Sequence, residues 1–288
     1  MLLGGAGVLL AACGASSTKG AGTGTGKTAA SAAGSGGPVL RADQYQLVQF
    51  FKSGTPPAGV AHRLPFGLGS TDGVLQAGGP QQMDVRILDA DGKTDVVPPS
   101  VATRHANQLQ RPYWPVIADL AAGRYQAVFS LGGATVGSPA FFDVGSVAKL
   151  PKQGDKLPPV ATPTPVNGRG VNPICTRTPA CGLHDVSLDT VLGKSPVVLM
   201  VATPAYCQTA ICGPTLDVLL DNRRPGITYI HAEVWKDTTL SEPAPLLDAY
   251  GIDYEPVLFV VRADGTIAER LDVIFDADDL AAALAKAL

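Results

Sequence analysis

Apolar positions recur along this chain in two rhythms. Between residues 38 and 146 they come as short alternating or solid runs, at 45–51, 83–88, 127–131 and 140–144. Turn formers such as Ser70-Thr-Asp-Gly73 and Asp89-Ala-Asp-Gly92 separate them, and no long amphipathic helix intervenes. Several short strands with such punctuation predict an antiparallel sandwich. Between residues 171 and 288 strand-like and helix-like patterns alternate instead. Residues 196–202 are a solid apolar run, and Leu216, Val218, Leu219 and Leu220 follow at helical spacing. Residues 227–235 alternate like a strand, 245–250 suit a short helix, and 257–262 are a buried strand. Asp264-Gly265 is a hairpin turn into 266–271, and Asp276 caps a helix over 277–287. The predicted order is βαβα and then ββα.

Composition adds linkers to this picture. The 288 residues include 33 glycines and 24 prolines, and that length suits two domains. Residues 14–37 are Gly, Ser, Thr and Ala with two lysines, a tether reaching on the order of 25–30 Å. Within it, residues 21–28 pass a relaxed phosphate-loop pattern, yet no strand precedes them and no helix follows, so no nucleotide site is expected. Pro151, Pro158, Pro159, Pro163 and Pro165 mark residues 147–170 as a stiffer spacer, roughly 45 Å long if extended from 151 to 165. The formal charge of −3 leaves no basic footprint for nucleic acid.

Residues 1–13 are an apolar stretch ending in small residues, too short at roughly 11 residues to span a bilayer. Leu10-Ala-Ala-Cys13 resembles the bacterial lipobox, although no Lys or Arg precedes the apolar run. The resemblance implies cleavage before Cys13, its lipidation, and an extracytoplasmic chain anchored to the cell membrane. An exported location permits disulfides. The other four cysteines form two close pairs, Cys175/Cys181 and Cys207/Cys212.

Cys207 and Cys212 carry the candidate chemistry. They follow a buried strand and precede Gly213-Pro214, where a helix should begin. A thiolate there is stabilised by the positive end of the helix, so the loop reads as a redox or metal site. Inside a regular helix, cysteines five residues apart have Cα atoms about 8–9 Å apart, beyond the roughly 7 Å that a disulfide spans. The pair therefore closes only if Cys207 lies in the loop. Cys175 and Cys181 flank a five-residue turn and read as a structural disulfide, with a second redox pair or a metal clip as alternatives. His62 and His105 lack metal-ligand spacing and read as surface or structural residues, and His231 reads as a core or sheet-face residue. Tyr113 and Trp114 close one end of the sandwich or form a contact surface.

Over residues 184–288 this order, with cysteines after the first core strand, resembles the thioredoxin fold. Gly251-Ile252, Pro256 and the run after it, Asp264-Gly265 and the capped last helix carry that resemblance. It implies that Pro256 stands where the family has a cis-proline and, with Glu255, contacts substrate. It also implies that Cys207 and Cys212 exchange disulfides with protein thiols, without an organic cofactor or metal. The four residues between the cysteines depart from the family's usual two. Two alignments follow, one with Cys207 as nucleophile and Cys212 resolving, the other matching Cys212-Gly-Pro-Thr215 to the family's motif with Cys207 as partner. In the first half, Asp119-Leu-Ala-Ala-Gly-Arg-Tyr125 resembles the tyrosine corner of immunoglobulin-like domains.

The expected architecture is thus an all-β, immunoglobulin-like sandwich over 38–146 followed by an α/β thioredoxin-like domain over 171–288. The expected function is a membrane-anchored thiol–disulfide oxidoreductase. Two alternatives stand beside it: a non-enzymatic surface-binding lipoprotein with purely structural disulfides, and a Sco-like copper-binding protein with His231 as the nearest histidine ligand. The partner of the sandwich is left open.

Overall fold

The computed structural model describes residues 40–145, 150–207 and 211–288. Cys13, the apolar leader, the tether and the phosphate-loop pattern lie outside the described residues. Among the described residues no helix is long and apolar enough to cross a membrane.

Eight strands build the first half. Strands β1 (Tyr45–Gln49), β2 (Ala61–Ser70) and β5 (Trp114–Asp119) pair in the order β1-β2-β5. Strands β3 (Gln82–Asp89), β4 (Ser100–Thr103) and β6 (Gly123–Leu131) pair as β4-β3-β6, and β7 (Ala134–Thr135) and β8 (Ala140–Val144) both pair with β6. Every one of these pairings is antiparallel. Strand alternation fixes the faces: Met83, Val85 and Ile87 of β3 point into the core, while Asp84 and Arg86 are exposed. Phe51, Phe66, Phe129 and Phe142 meet at the centre, with ring centroids 5.0–5.5 Å apart. Tyr125 donates from its hydroxyl to the Ala121 carbonyl at 2.9 Å. Tyr113 and Trp114 are fully buried, and the Trp114 ring nitrogen donates to the Pro80 carbonyl at 3.1 Å.

The third sheet has the order β10-β9-β11-β12, built from β9 (Val197–Val201), β10 (Thr228–Ala232), β11 (Val257–Val261) and β12 (Ile267–Asp272). Strand β10 runs parallel to β9, and the other two pairings are antiparallel. All five residues of β9 and of β11 are buried, as central strands covered on both faces must be. Val198, Met200, Leu258 and Val260 pack on helices α2 (Cys212–Asp221) and α4 (Ala277–Ala285). Val197, Leu199, Phe259 and Val261 share the opposite core with α3 (Pro245–Tyr250), with Leu188 of the four-residue α1 (Leu188–Val191), and with Leu150 and Leu157.

The described chain is therefore mainly β, with three sheets and four short α-helices, and this corrects the expected α/β thioredoxin-like class of the second half. Helix α3 starts on Pro245 and is ended after six residues by Gly251, whose φ of 67° is left-handed. The proline-rich stretch is no free spacer either. Leu150, Leu157 and Thr162 are buried, Leu157 donates its N–H to the Gly265 carbonyl at 3.0 Å, and the Tyr250 hydroxyl donates to the Pro158 carbonyl at 2.6 Å.

Residues 40–288 form one compact unit. Ile211, Val273 and Ile274 are buried in the apolar core of the first two sheets. Beside them lies a buried polar network. Asp272 accepts from the Arg270 guanidinium at 2.9 Å and sits 2.8 Å from His62 Nε2. Burial alone would raise the Asp272 carboxyl, but Arg270 and His62 hold it well below the usual range. The Tyr113 hydroxyl donates to Asp279 at 2.5 Å and accepts from the Asp276 N–H at 2.9 Å. His62 and His105 are thus structural, the latter 3.4 Å from Asp276, whose carboxylate caps α4 by accepting from the N–H groups of Asp278 and Asp279.

Candidate functional site

The end of the third sheet where β9 and β10 finish and β11 begins gathers all four described cysteines. Cys207 lies in the loop after β9, and Cys212 is the first residue of α2. The two are disulfide-bonded, with Cα atoms 6.0 Å apart. The helix begins two residues before the expected Pro214, so Pro214 sits in the first turn, where an N–H has no intrahelical partner to lose. Cys212 is fully buried and Cys207 half-buried, so an incoming sulfur reaches Cys207 first. Cys207 also lines a cleft of about 680 Å³, with Tyr206, Trp235, Leu240, Pro243 and Tyr254 among its walls.

Glu255 stands behind the disulfide. Its Oε2 accepts the Thr203 N–H at 2.5 Å and lies 3.5 Å from Cys212 Sγ. Burial, with Glu233 adding its negative charge, pushes the Glu255 carboxyl up to about 7, against the opposing pull of the Thr203 N–H and His231. The next residue, Pro256, is buried, and the Glu255–Pro256 bond is cis. Antiparallel pairing of Val257 with Val201 brings this corner to the start of the cysteine loop.

The second pair is not bonded. Cys175 and Cys181 are free thiols with sulfurs 3.6 Å apart, where a structural disulfide was expected. Two imidazoles lie against this pair. His184 Nε2 lies 3.3 Å and His231 Nδ1 3.4 Å from Cys181 Sγ. Hydrogen bonding with Cys181, helped by both histidines, holds the Cys175 thiol well below its usual range despite burial. Burial pulls the His231 imidazole down, but Cys175, Glu233 and the Ala202 carbonyl outweigh it and leave it raised. Glu233 is itself raised by burial, and it accepts the Thr176 N–H at 2.6 Å.

The structure therefore brings Cys207, Cys212, Glu255 and Pro256 together, and places Cys175 and Cys181 in a separate cluster. His231 lies in β10, the strand expected for it, but its Nδ1 faces Cys181 and not the sulfurs of Cys207 and Cys212, where the copper alternative needs it. Sequence reasoning missed His184 altogether. Its signal was the spacing Cys181-Gly-Leu-His184, which Gly182 turns back on itself with a φ of 72°. No protein-family profile matches the chain, and no curated protein matches it either.

Proposed function

We propose that the chain is a thiol–disulfide oxidoreductase, held at the extracytoplasmic face of the membrane by a lipid on Cys13. One observation carries this reading: the Cys207–Cys212 disulfide has one half-buried sulfur on a cleft and one buried sulfur at a helix N-terminus beside a carboxylate. In the reduced chain the Cys207 thiolate attacks one sulfur of a substrate disulfide. A mixed disulfide forms, and the other substrate sulfur leaves as a thiolate that takes a proton from water. Glu255 then accepts the proton of Cys212, whose thiolate attacks Cys207 Sγ and expels the remaining substrate thiolate. Two electrons pass from the chain to the substrate, and the bonded form runs the same steps in reverse.

A carboxyl near 7 suits this task, because it takes a proton at neutral pH and returns it. The walls around Cys207 combine aromatic and aliphatic side chains with the carboxylates of Asp248, Asp253 and Glu255, which fits an extended polypeptide segment better than a small anionic thiol. The test is the reduction potential of the pair in the full chain, equilibrated in glutathione buffers and read by alkylation of Cys207 and Cys212. A value from about −120 to −270 mV supports exchange, whereas one below about −300 mV marks a structural bond and ends this reading.

A further inference from the structure

We propose that Cys175, Cys181, His184 and His231 form a tetrahedral zinc(II) site. Their four ligand atoms all lie within 4.8 Å of one another. Zinc–sulfur bonds of about 2.3 Å and zinc–nitrogen bonds of about 2.0–2.1 Å make tetrahedron edges of roughly 3.3–3.8 Å. The sulfur–sulfur distance of 3.6 Å and the sulfur–nitrogen distances of 3.3 and 3.4 Å fall inside that range. Two thiolates and two imidazoles are the donor set that suits zinc, and two thiolate charges match the charge of the ion.

The surroundings orient the donors. His231 donates from Nε2 to the Ala202 carbonyl at 2.9 Å, which leaves the Nδ1 lone pair facing Cys181 Sγ. The His231 N–H donates to the Leu183 carbonyl at 2.9 Å and so pins the Cys181-to-His184 turn to β10. His184 is 4% exposed, and its Nδ1 meets no protein partner. Among the described residues, the hydrogen-bonding contact of this buried ring is with the sulfur cluster, beside the His231 ring. A disulfide clamp would need neither imidazole. Access comes from the Cys175 side, where that half-buried thiol lines a cleft of about 550 Å³ with Pro165, Val171 and Ile174.

All four positions are filled by protein, so the site is structural and has no open position for a substrate. Its outlet into the rest of the molecule is Thr176, next to Cys175, whose Oγ1 accepts the Ala205 N–H at 3.2 Å in the loop that leads to Cys207. Zinc at this site would hold the exchange loop in place without touching it.

The test uses the full chain, reduced, desalted and titrated with zinc(II) and separately with cobalt(II). One zinc per chain, and the intense visible bands of tetrahedral thiolate-bound cobalt, are expected. Cys175→Ser, at the half-buried position, should weaken zinc binding on the order of 100-fold or more. A chain carrying Cys207→Ser and Cys212→Ser should keep the metal. Failure of the reduced chain to bind zinc overturns the proposal, as does an octahedral cobalt spectrum or zinc retained fully by Cys175→Ser. Loss of the metal in the Cys207→Ser/Cys212→Ser chain, if it still unfolds cooperatively, assigns the ion to the wrong pair and overturns it equally. Preferential uptake of copper(I) in a competition with zinc would overturn the assignment to zinc.

Discussion

Cys207/Cys212 and Cys175/Cys181 are near twins in sequence, separated by four and five intervening residues and packed around one sheet end. Their surroundings differ in kind. The first pair is bonded, with a half-buried carboxyl at Cys212 and a cleft at Cys207. The second is unbonded, and two imidazoles face Cys181 with ring nitrogens where the first pair has a carboxylate oxygen. A carboxyl near 7 moves a proton to and from a thiol, whereas a neutral imidazole offers a lone pair to a metal. Spacing brings two sulfurs close in both cases. On the proposed reading, the neighbouring group then decides between exchange and coordination.

The sharpest way to break the comparison is to exchange one sulfur in each pair. Cys207→Ser should abolish disulfide exchange by at least about 10³-fold, and Cys212→Ser should do the same while accumulating a mixed disulfide with substrate. Cys175→Ser should leave exchange within about tenfold. Mass spectrometry of the trapped species checks the first two, and insulin reduction checks all three. Equal losses at Cys175 and Cys207 would mean that the two pairs act as one relay.

Metal removal is the next largest effect. With zinc at about 1,000 times its dissociation constant, binding adds about 4 kcal/mol to the unfolding free energy. Thermal unfolding of the full chain should therefore depend on zinc and lose that dependence in Cys175→Ser. A melting curve indifferent to chelator would leave the second pair as an unliganded dithiol.

How much of this contrast was legible in the sequence follows from the range over which each contact acts. The solid run at 197–201, the Asp276 cap and the Asp264-Gly265 turn are local and were readable. The cysteine loop was readable too, because five residues in a helix cannot close a disulfide. The helix start shifted from Pro214 to Cys212, since a first-turn proline tolerates either position. His184 and His231 meet only because His231 donates to the Leu183 carbonyl, across 48 residues. His62 finds Asp272 across 210 residues, a pairing that no local pattern announces. The short helix at 245–250 was readable as well, because Pro245 opens it and Gly251 ends it, whereas the balance of strand over helix that sets the class depends on pairings between distant strands.

Glu255 gives a pH test of the exchange pair alone. Its carboxyl rises from an ordinary 4.5 to about 7 on folding. The folded chain then holds a proton that the unfolded chain has released between those values. Unfolding free energy from this group thus falls as pH climbs from about 4.5 to 7 and is flat above. Glu255→Gln should remove that fall and stabilise the chain at pH 8 by roughly 2–3 kcal/mol. It should also flatten the pH step near 7 in the resolving attack by Cys212. Denaturant titrations at pH 5 and 8 check the first outcome, and stopped-flow resolution of a trapped mixed disulfide checks the second. A variant less stable than the parent at pH 8 would show that folding does not raise the Glu255 carboxyl.

The smallest effect asks whether the two pairs communicate. Thr176 stands between them: its N–H and hydroxyl both donate to Glu233, at 2.6 and 3.2 Å, and its Oγ1 accepts the Ala205 N–H. Thr176→Val keeps the backbone bond and removes the two side-chain ones, so stability should drop by about 1 kcal/mol. If the loop to Cys207 is steadied through this hydroxyl, zinc should shift the Cys207–Cys212 potential in the parent chain by roughly 20 mV, the equivalent of about 1 kcal/mol for two electrons. Thr176→Val should erase most of that shift while zinc still binds. A shift that survives the substitution would point to the other tie, from His231 Nε2 to the Ala202 carbonyl at the head of the same loop. His231 would then be the residue through which the second pair sets the chemistry of the first.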